Sequence, residues 1–222
     1  MRRSDRARRV RVTVDPERGV QVTLPRRAPL REAAAAVAEL RPWIERRLAE
    51  VEAARAQVAE RGDAIPYLGG TLRLVREPGR TRAHRRGDAL HVPEGDSAAA
   101  VERWLRRAAR EEITPRAHRA AAALGAEVSR VTIRDGRTRW GSCSSRGTLS
   151  FSWRLVMAPE AVLDYVVWHE ACHLRHMDHS PRFWALVERH CPGYEEPRRW
   201  LRRNAAALRL AVLTPTGPAT TR

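Results

Sequence analysis

An α+β fold is what this 222-residue sequence predicts. Three observations carry that reading. Short stretches alternate polar and apolar residues, as in Arg9-Val10-Arg11-Val12-Thr13-Val14, which is the period of a half-buried strand. Two long alanine-rich stretches, residues 30 to about 61 and 98 to 124, favour helix. A third helical stretch, residues 159–176, carries Leu163, Val166, Val167, Ala171 and Leu174 at roughly helical spacing.

Taken in order, the first strand meets a turn at Asp15-Pro16-Glu17-Arg18-Gly19 and returns along Val20-Gln21-Val22-Thr23-Leu24 as a hairpin. Pro42 marks a break in the following helical stretch or the start of a second helix. Tyr67-Leu68-Gly69-Gly70 is a turn. Thr71-Leu72-Arg73-Leu74-Val75 is a strand, and Ala89-Leu90-His91-Val92 is a short partner for it. Ser97 is placed to cap the helix over 98–124, with an interruption expected at Pro115. Val131-Thr132-Ile133 reads as a strand. Residues 149–155 alternate strictly, which puts Leu149, Phe151, Trp153 and Leu155 on one face of another. Pro159 suits the first position of the next helix, and Glu160 its first turn. The Pro-, Thr- and Gly-rich tail from Thr214 reads as disordered. The expected division is an α+β region over 1–96, a catalytic domain over 97–213 and the tail over 214–222.

Inside the apolar helix sits His169-Glu170-Ala171-Cys172-His173, an H-E-x-x-H pattern. Histidines at i and i+4 share a helix face and can converge on one zinc ion. The glutamate beside the first histidine can take a proton from a metal-bound water. Burying two imidazoles and a carboxylate without partners is costly, and a metal supplies the compensation. A third ligand must come from downstream. His176 extends the same helical face, but it stands about 10.5 Å of helix rise from His169, a long reach for bonds of about 2 Å. His179 lies beyond the expected helix end, before Ser180 and Pro181, which look like the cap and first residue of a new helix. The turn lets His179 swing back, so it is the expected third ligand and His176 the alternative. Tyr165, Arg175, His176 and Tyr194 are the candidates for stabilising an oxyanion. Cys172 points off the metal face and reads as packing. Cys143 reads as a small residue in a turn, with a thiolate latch on the metal as the alternative.

The rest of the composition sets limits. Net charge is +16, and all 42 basic residues are arginine. A polyanion or nucleic-acid surface would account for this, and so would a base-biased genome that encodes arginine wherever a cation is tolerated. The arginines are scattered, and aromatics do not interleave with them as a base-stacking groove needs. Three widely spaced cysteines offer neither a disulfide framework nor a Cys-x-x-Cys knuckle, which suits a reducing cytoplasm. No run of apolar residues is long enough to span a membrane, and the charged start of the chain is not followed by the apolar segment of a secretory signal.

A polar cluster, Arg137-Thr138-Arg139-Trp140-Gly141-Ser142-Cys143-Ser144, joins the two strands ahead of the metal helix. Spacing alone favours a tight turn with Trp140 in the core. The other reading is a free sheet edge along residues 149–155 that hydrogen-bonds an extended peptide over the metal, with Arg139, Trp140, Gly141 and Ser142 binding substrate.

Trp-Gly-Ser-Cys-Ser, an alternating strand, then H-E-x-x-H-Leu-x-x-x-x-His-Ser-x-x-Phe-Trp resembles the YgjP-like zinc metallopeptidases, relatives of the SprT and WLM zincins. The matching residues run from Arg137 to Trp184 and continue through Pro192-Gly193-Tyr194 and Trp200-Leu201. The resemblance implies a zincin-like α+β domain with a small antiparallel sheet packed on the metal-binding helix. It implies His169, His173 and His179 as zinc ligands and Glu170 as general base. It names no particular substrate, and motif and resemblance together favour a polypeptide. Two other readings stay open. One is a metal-dependent nucleoside triphosphate pyrophosphatase, with Arg137, Arg139 and Arg175 the first candidates to hold phosphate. The other is a protease acting on nucleic-acid-bound proteins, which SprT relatives suggest.

Overall fold

The computed structural model describes residues 1–136 and 139–212. The chain divides into two compact units, Met1–Glu60 and Arg61–Arg222.

The first unit holds β1 (Arg2–Ser4), β2 (Arg11–Asp15), β3 (Gly19–Pro25), α1 (Leu30–Glu39) and α2 (Arg41–Glu60). β2 and β3 form the expected hairpin. Asp15 Oδ1 closes its turn by accepting from the Glu17 and Arg18 amides at 3.0 Å each, and Gly19 leaves it at φ 67°, a conformation that costs glycine little. α1 stops at Leu40, and α2 takes Pro42 in its first turn, where a missing N–H leaves no bond unmade. Val12 and Leu24 of the sheet are buried, as are Ala33 of α1 and Ile44, Val51, Ala54 and Val58 of α2. β1, running parallel to β3, has no signature in Arg2-Arg3-Ser4, because its pairing depends on backbone alone.

The second unit begins with β4 (Ala64–Tyr67), β5 (Gly70–Glu77), β6 (His84–Arg86) and β7 (Ala89–Pro93), in sheet order β4-β5-β7-β6. α3 (Ser97–Ala123) follows. Asp96, not Ser97, occupies its cap position, and α3 runs through Pro115 without the expected interruption. Its buried stripe, from Ala100 and Val101 through Leu105 and Ile113 to Ala121, supplies packing that outweighs one lost backbone bond. β8 (Arg130–Arg134), β9 (Gly141–Cys143) and β10 (Thr148–Ser152) form the third sheet, and α4 (Glu160–Cys172), α5 (Pro181–His190) and α6 (Glu195–Leu210) complete the unit. α4 packs against α3, α5, α6 and β9.

The α+β class is as the sequence predicts, with several local departures. The third sheet is mixed rather than antiparallel: β10 lies between β8, to which it is parallel, and β9, to which it is antiparallel. β9 forms within the polar cluster, where a tight turn is expected, and it is β9 rather than β10 that takes the sheet edge. The alternating strand stops at Ser152, whose hydroxyl accepts from the Arg154 amide at 3.4 Å and starts a 3₁₀ turn over Trp153–Met157. All five residues of that turn are buried, so the pattern that resembles a one-sided strand belongs to a segment enclosed on every side. Finally, α4 ends at Cys172 rather than His176, and Pro159 is its cap rather than its first residue. Leu174 and Arg175 bond back to Ala171 and Cys172 at 2.9 and 3.0 Å, which is the tightening of a last turn. The expected disordered tail from Thr214 lies outside the described residues.

Candidate metal centre

α4 is apolar on most of its circumference. Val162, Leu163, Tyr165, Val166, Val167, Ala171 and Cys172 are all buried, and an ion-pair cluster at one end and a set of hydrogen bonds at the other hold it in place. At its start, Arg116 of α3 reaches Glu160 and Asp164 of α4 while also pairing with Glu112. Just past its end, the Arg175 guanidinium donates to the carbonyls of Leu124 at 2.8 and 2.5 Å and of Gly125 at 2.7 Å. Those bonds satisfy the carbonyls left over where α3 stops. They also occupy Arg175, which therefore is not aimed at an oxyanion or a phosphate.

Within this fixed frame three imidazoles converge. One ring nitrogen from each of His169, His173 and His179 lies within 4.8 Å of the others. His169 Nε2 and His179 Nε2 are 3.2 Å apart. Two nitrogens on one tetrahedral ion, with bonds of about 2.0–2.1 Å, stand about 3.3 Å apart. The donor set thus fits a zinc-like ion. His173 Nδ1 lies 2.9 Å from the His176 carbonyl oxygen; as a donor there it leaves Nε2 with a free lone pair for a metal. His176 enters the site through this backbone oxygen, and its ring is not in the converging group. The turn after α4 carries His179 back to the helix, and Asp178 braces it by accepting from the Ser180 amide at 3.3 Å.

α5 supplies the backing. Phe183, fully buried, stands 5.0, 4.5 and 4.9 Å from the rings of His169, His173 and His179. Trp184 lies 5.6 Å from His169 and 5.7 Å from His179, and stacks on Tyr194 at 5.1 Å. Rigid aromatic contacts of this kind fix ring orientation without competing for the metal. Burial, then mutual repulsion with His173 and His179, pushes His169 down to about 3. Burial also lowers His173. Both rings are neutral near pH 7, the protonation state in which imidazole binds metal.

Glu170 is 6% exposed, and burial pushes its carboxyl up to about 7, with Arg139 pulling the other way. Its closest neighbour on the sheet is Gly141. A Cβ at that position would stand 2.5 Å from both Cγ and Oε1 of Glu170, so only glycine fits without displacement. Cys143, two residues on along β9, has its thiol pushed up to about 11 by burial and by Glu170. It donates to the Ser144 carbonyl at 3.4 Å and does not belong to the converging group. Cys172 is fully buried and pushed up to about 12 by burial, as a packing residue would be.

Of the remaining polar cluster, Arg139 is exposed, while Trp140, Gly141 and Ser142 are half-buried. The Trp140 carbonyl accepts from the Ser152 amide at 2.8 Å, and the Arg209 guanidinium lies 5.3 Å over its ring. Trp140 therefore caps the core from the side instead of entering it. Arg137 lies outside the described residues. Tyr165 is 6% exposed, 5.8 Å from the His169 ring, and burial pushes its phenol up to about 12. Tyr194 stacks on it at 6.1 Å. The sequence gives no role to Phe183 or Trp184; their signal is two aromatics one turn into a helix that begins beside His179.

The family model of the YgjP-like metallopeptidase domain matches residues 8–204. No curated protein gives a significant match. The solved metallopeptidase zymogen abylysin of Pyrococcus abyssi is 26% identical, over 41% of this chain and 93% of its own, with a TM-score of 0.37. A helix with two histidines facing a third, a buried glutamate between them, and a family match that spans most of the 222 residues agree with one another, and this chain belongs to the YgjP-like metallopeptidase family.

Proposed function

We propose that this metallopeptidase holds zinc between His169, His173 and His179 and hydrolyses peptide bonds with Glu170 as general base. The observation that carries the reading is the convergence of three imidazole nitrogens within 4.8 Å beside the helix that presents a buried carboxylate. Zinc bound there would acidify a water and polarise the scissile carbonyl. The carboxylate of Glu170 would accept the proton of the attacking water and return it to the leaving amine.

β9 is the sheet edge beside Glu170. An extended polypeptide pairing with Gly141 and Ser142 would run across the histidines, and Arg139 and Trp140 would flank it. Tyr165, whose ring is 5.8 Å from that of His169, and Tyr194, stacked on it, would be the candidates to meet an oxyanion. A substrate panel tests the whole reading: zinc-loaded protein is offered unfolded polypeptides and nucleoside triphosphates. Zinc-dependent cleavage of polypeptide supports it. Release of pyrophosphate with no polypeptide cleaved would replace it with nucleotide hydrolysis.

A further inference from the structure

The first fourteen residues hold six arginines and one acidic residue, Asp5. Their placement is not that of a solvated charge run. β1 and β2 lie on either side of β3, and both Arg2 and Arg11 pair with Thr23, so the three form one cross-strand row. Directly opposite residues in a sheet share a face. The segment linking β1 to β2 crosses from one edge of this sheet to the other and brings Arg6, Arg8 and Arg9 to the same place. The result is a concavity of about 600 Å³ within the first unit, lined by five arginines with the hydroxyls of Ser4 and Thr23.

Three features separate this pocket from ordinary surface charge. No acidic side chain lines it. Asp5, the nearest in sequence, is turned to Arg26 at 3.1 Å. Among the described residues none of the five lining arginines has an ion-pair partner. Arg3 provides the contrast: its guanidinium donates to the carbonyls of Pro25, Arg26 and Ala28, at 3.5, 2.7 and 2.9 Å, and is used up in holding the chain. Five cations held together without counter-charge repel one another, and an anion with several closely spaced charges relieves that repulsion.

We propose that this pocket binds the phosphodiester backbone of nucleic acid, independently of sequence. Guanidinium forks match phosphate oxygens two at a time. The pocket has no aromatic lining, and Trp43 is the one aromatic residue of the first sixty. Bases therefore find no stacking platform, and recognition falls on the phosphates. The same lack of aromatic and large apolar anchors disfavours an acidic protein partner, whose interface needs a dehydrated apolar centre. It equally disfavours a membrane surface, which basic segments enter with apolar residues beside them. This site is independent of the metal centre and of the reading proposed for it.

The test uses the full chain and a labelled oligothymidylate, followed by anisotropy across a salt series. The wild type should bind, with log K falling linearly in log salt. R6S/R8S/R9S alters exposed positions between strands and should melt with the wild type. It should lose about tenfold or more in affinity and about 2 in salt slope, the share of three phosphate contacts on a single strand. R31S/R41S/R46S removes the same charge from exposed helix positions and should bind within about twofold of wild type. Equal losses in the two triple variants would overturn the pocket in favour of diffuse charge. Failure to bind the oligomer at low salt would overturn it outright, as would pocket-dependent binding of phosphatidylserine vesicles but not of the oligomer.

Discussion

The metal centre and the arginine pocket gather ionisable groups by opposite means. Around α4 the groups are few, buried and packed against aromatics, and burial decides their protonation: Glu170 is raised to about 7 and His169 lowered to about 3. In the first unit the groups are many and exposed, and their effect comes from number. Desolvation makes a group reactive by taking its preferred ionisation state away. Accumulation makes a surface attractive to polyanions. The difference predicts different fragilities. A single substitution should disable the metal centre, whereas the pocket should weaken in steps.

The largest effect expected is at Glu170. Glu170→Gln should keep zinc and fold yet lose about 10² to 10⁴ in turnover of a polypeptide substrate, because an amide cannot accept the proton. Metal content and kcat measured on the same preparation check this, and near-normal turnover would remove Glu170 from the role. Next come the histidines. His179→Ala should weaken zinc binding by more than about 100-fold, beyond the 10–100-fold typical of a group that only orients a ligand. His176→Ala should leave affinity within about threefold, since its contribution is a backbone carbonyl that alanine retains. Chelator competition ranks the two, and the reverse order would make His176 the ligand.

Gly141→Ala sharpens the comparison from the sheet side. The added methyl would stand 2.5 Å from Glu170 Cγ and Oε1, so the carboxylate must move by about an ångström. A displacement of that size at a reacting group costs about 10² in rate. Zinc affinity should be unchanged, because no histidine is touched. Loss of zinc together with activity would show that β9 positions the whole site and not its carboxylate alone.

These expectations differ in how far the sequence alone supports them. The H-E-x-x-H spacing is local, and a helix at 3.6 residues per turn converts it to geometry directly, so His169, Glu170 and His173 are legible at once. His179 is legible because Ser180-Pro181 announces a new helix start just after it. The edge strand β9 was hidden. Its three residues Gly141, Ser142 and Cys143 have no strand pattern and pair only because Leu149 and Phe151 of β10 lie opposite. The end of β10 was hidden for the converse reason, since burial of Trp153 and Leu155 mimics alternation while the backbone has turned to 3₁₀. Nor could composition tell a scattered arginine bias from a pocket, because Arg2 and Arg11 meet across Thr23 through strand order, which no local pattern encodes.

The smallest effect is on stability, and it isolates the burial of Glu170 from catalysis. In metal-free protein its folded pKa, about 7, lies above the ordinary 4.5. Between those values the folded state binds a proton that the unfolded chain has released, so folding is favoured there relative to higher pH. The contribution is fully present below about pH 4.5 and is lost as pH rises through 7. Glutamine resembles the protonated carboxyl at every pH. Glu170→Gln should therefore match the wild type in melting temperature near pH 4.5 and exceed it increasingly up to about pH 8, by of order 1–3 kcal/mol in unfolding free energy. His169 runs the other way: with its folded pKa depressed, it costs stability as pH falls below about 6.5. That loss is common to both proteins and cancels in the difference between them. Melting curves of chelator-treated wild type and variant over this range decide the matter. A gap that stays constant with pH, or narrows as pH rises, would mean that the carboxylate is not held against its own ionisation, and that the metal centre is less desolvated than its packing implies.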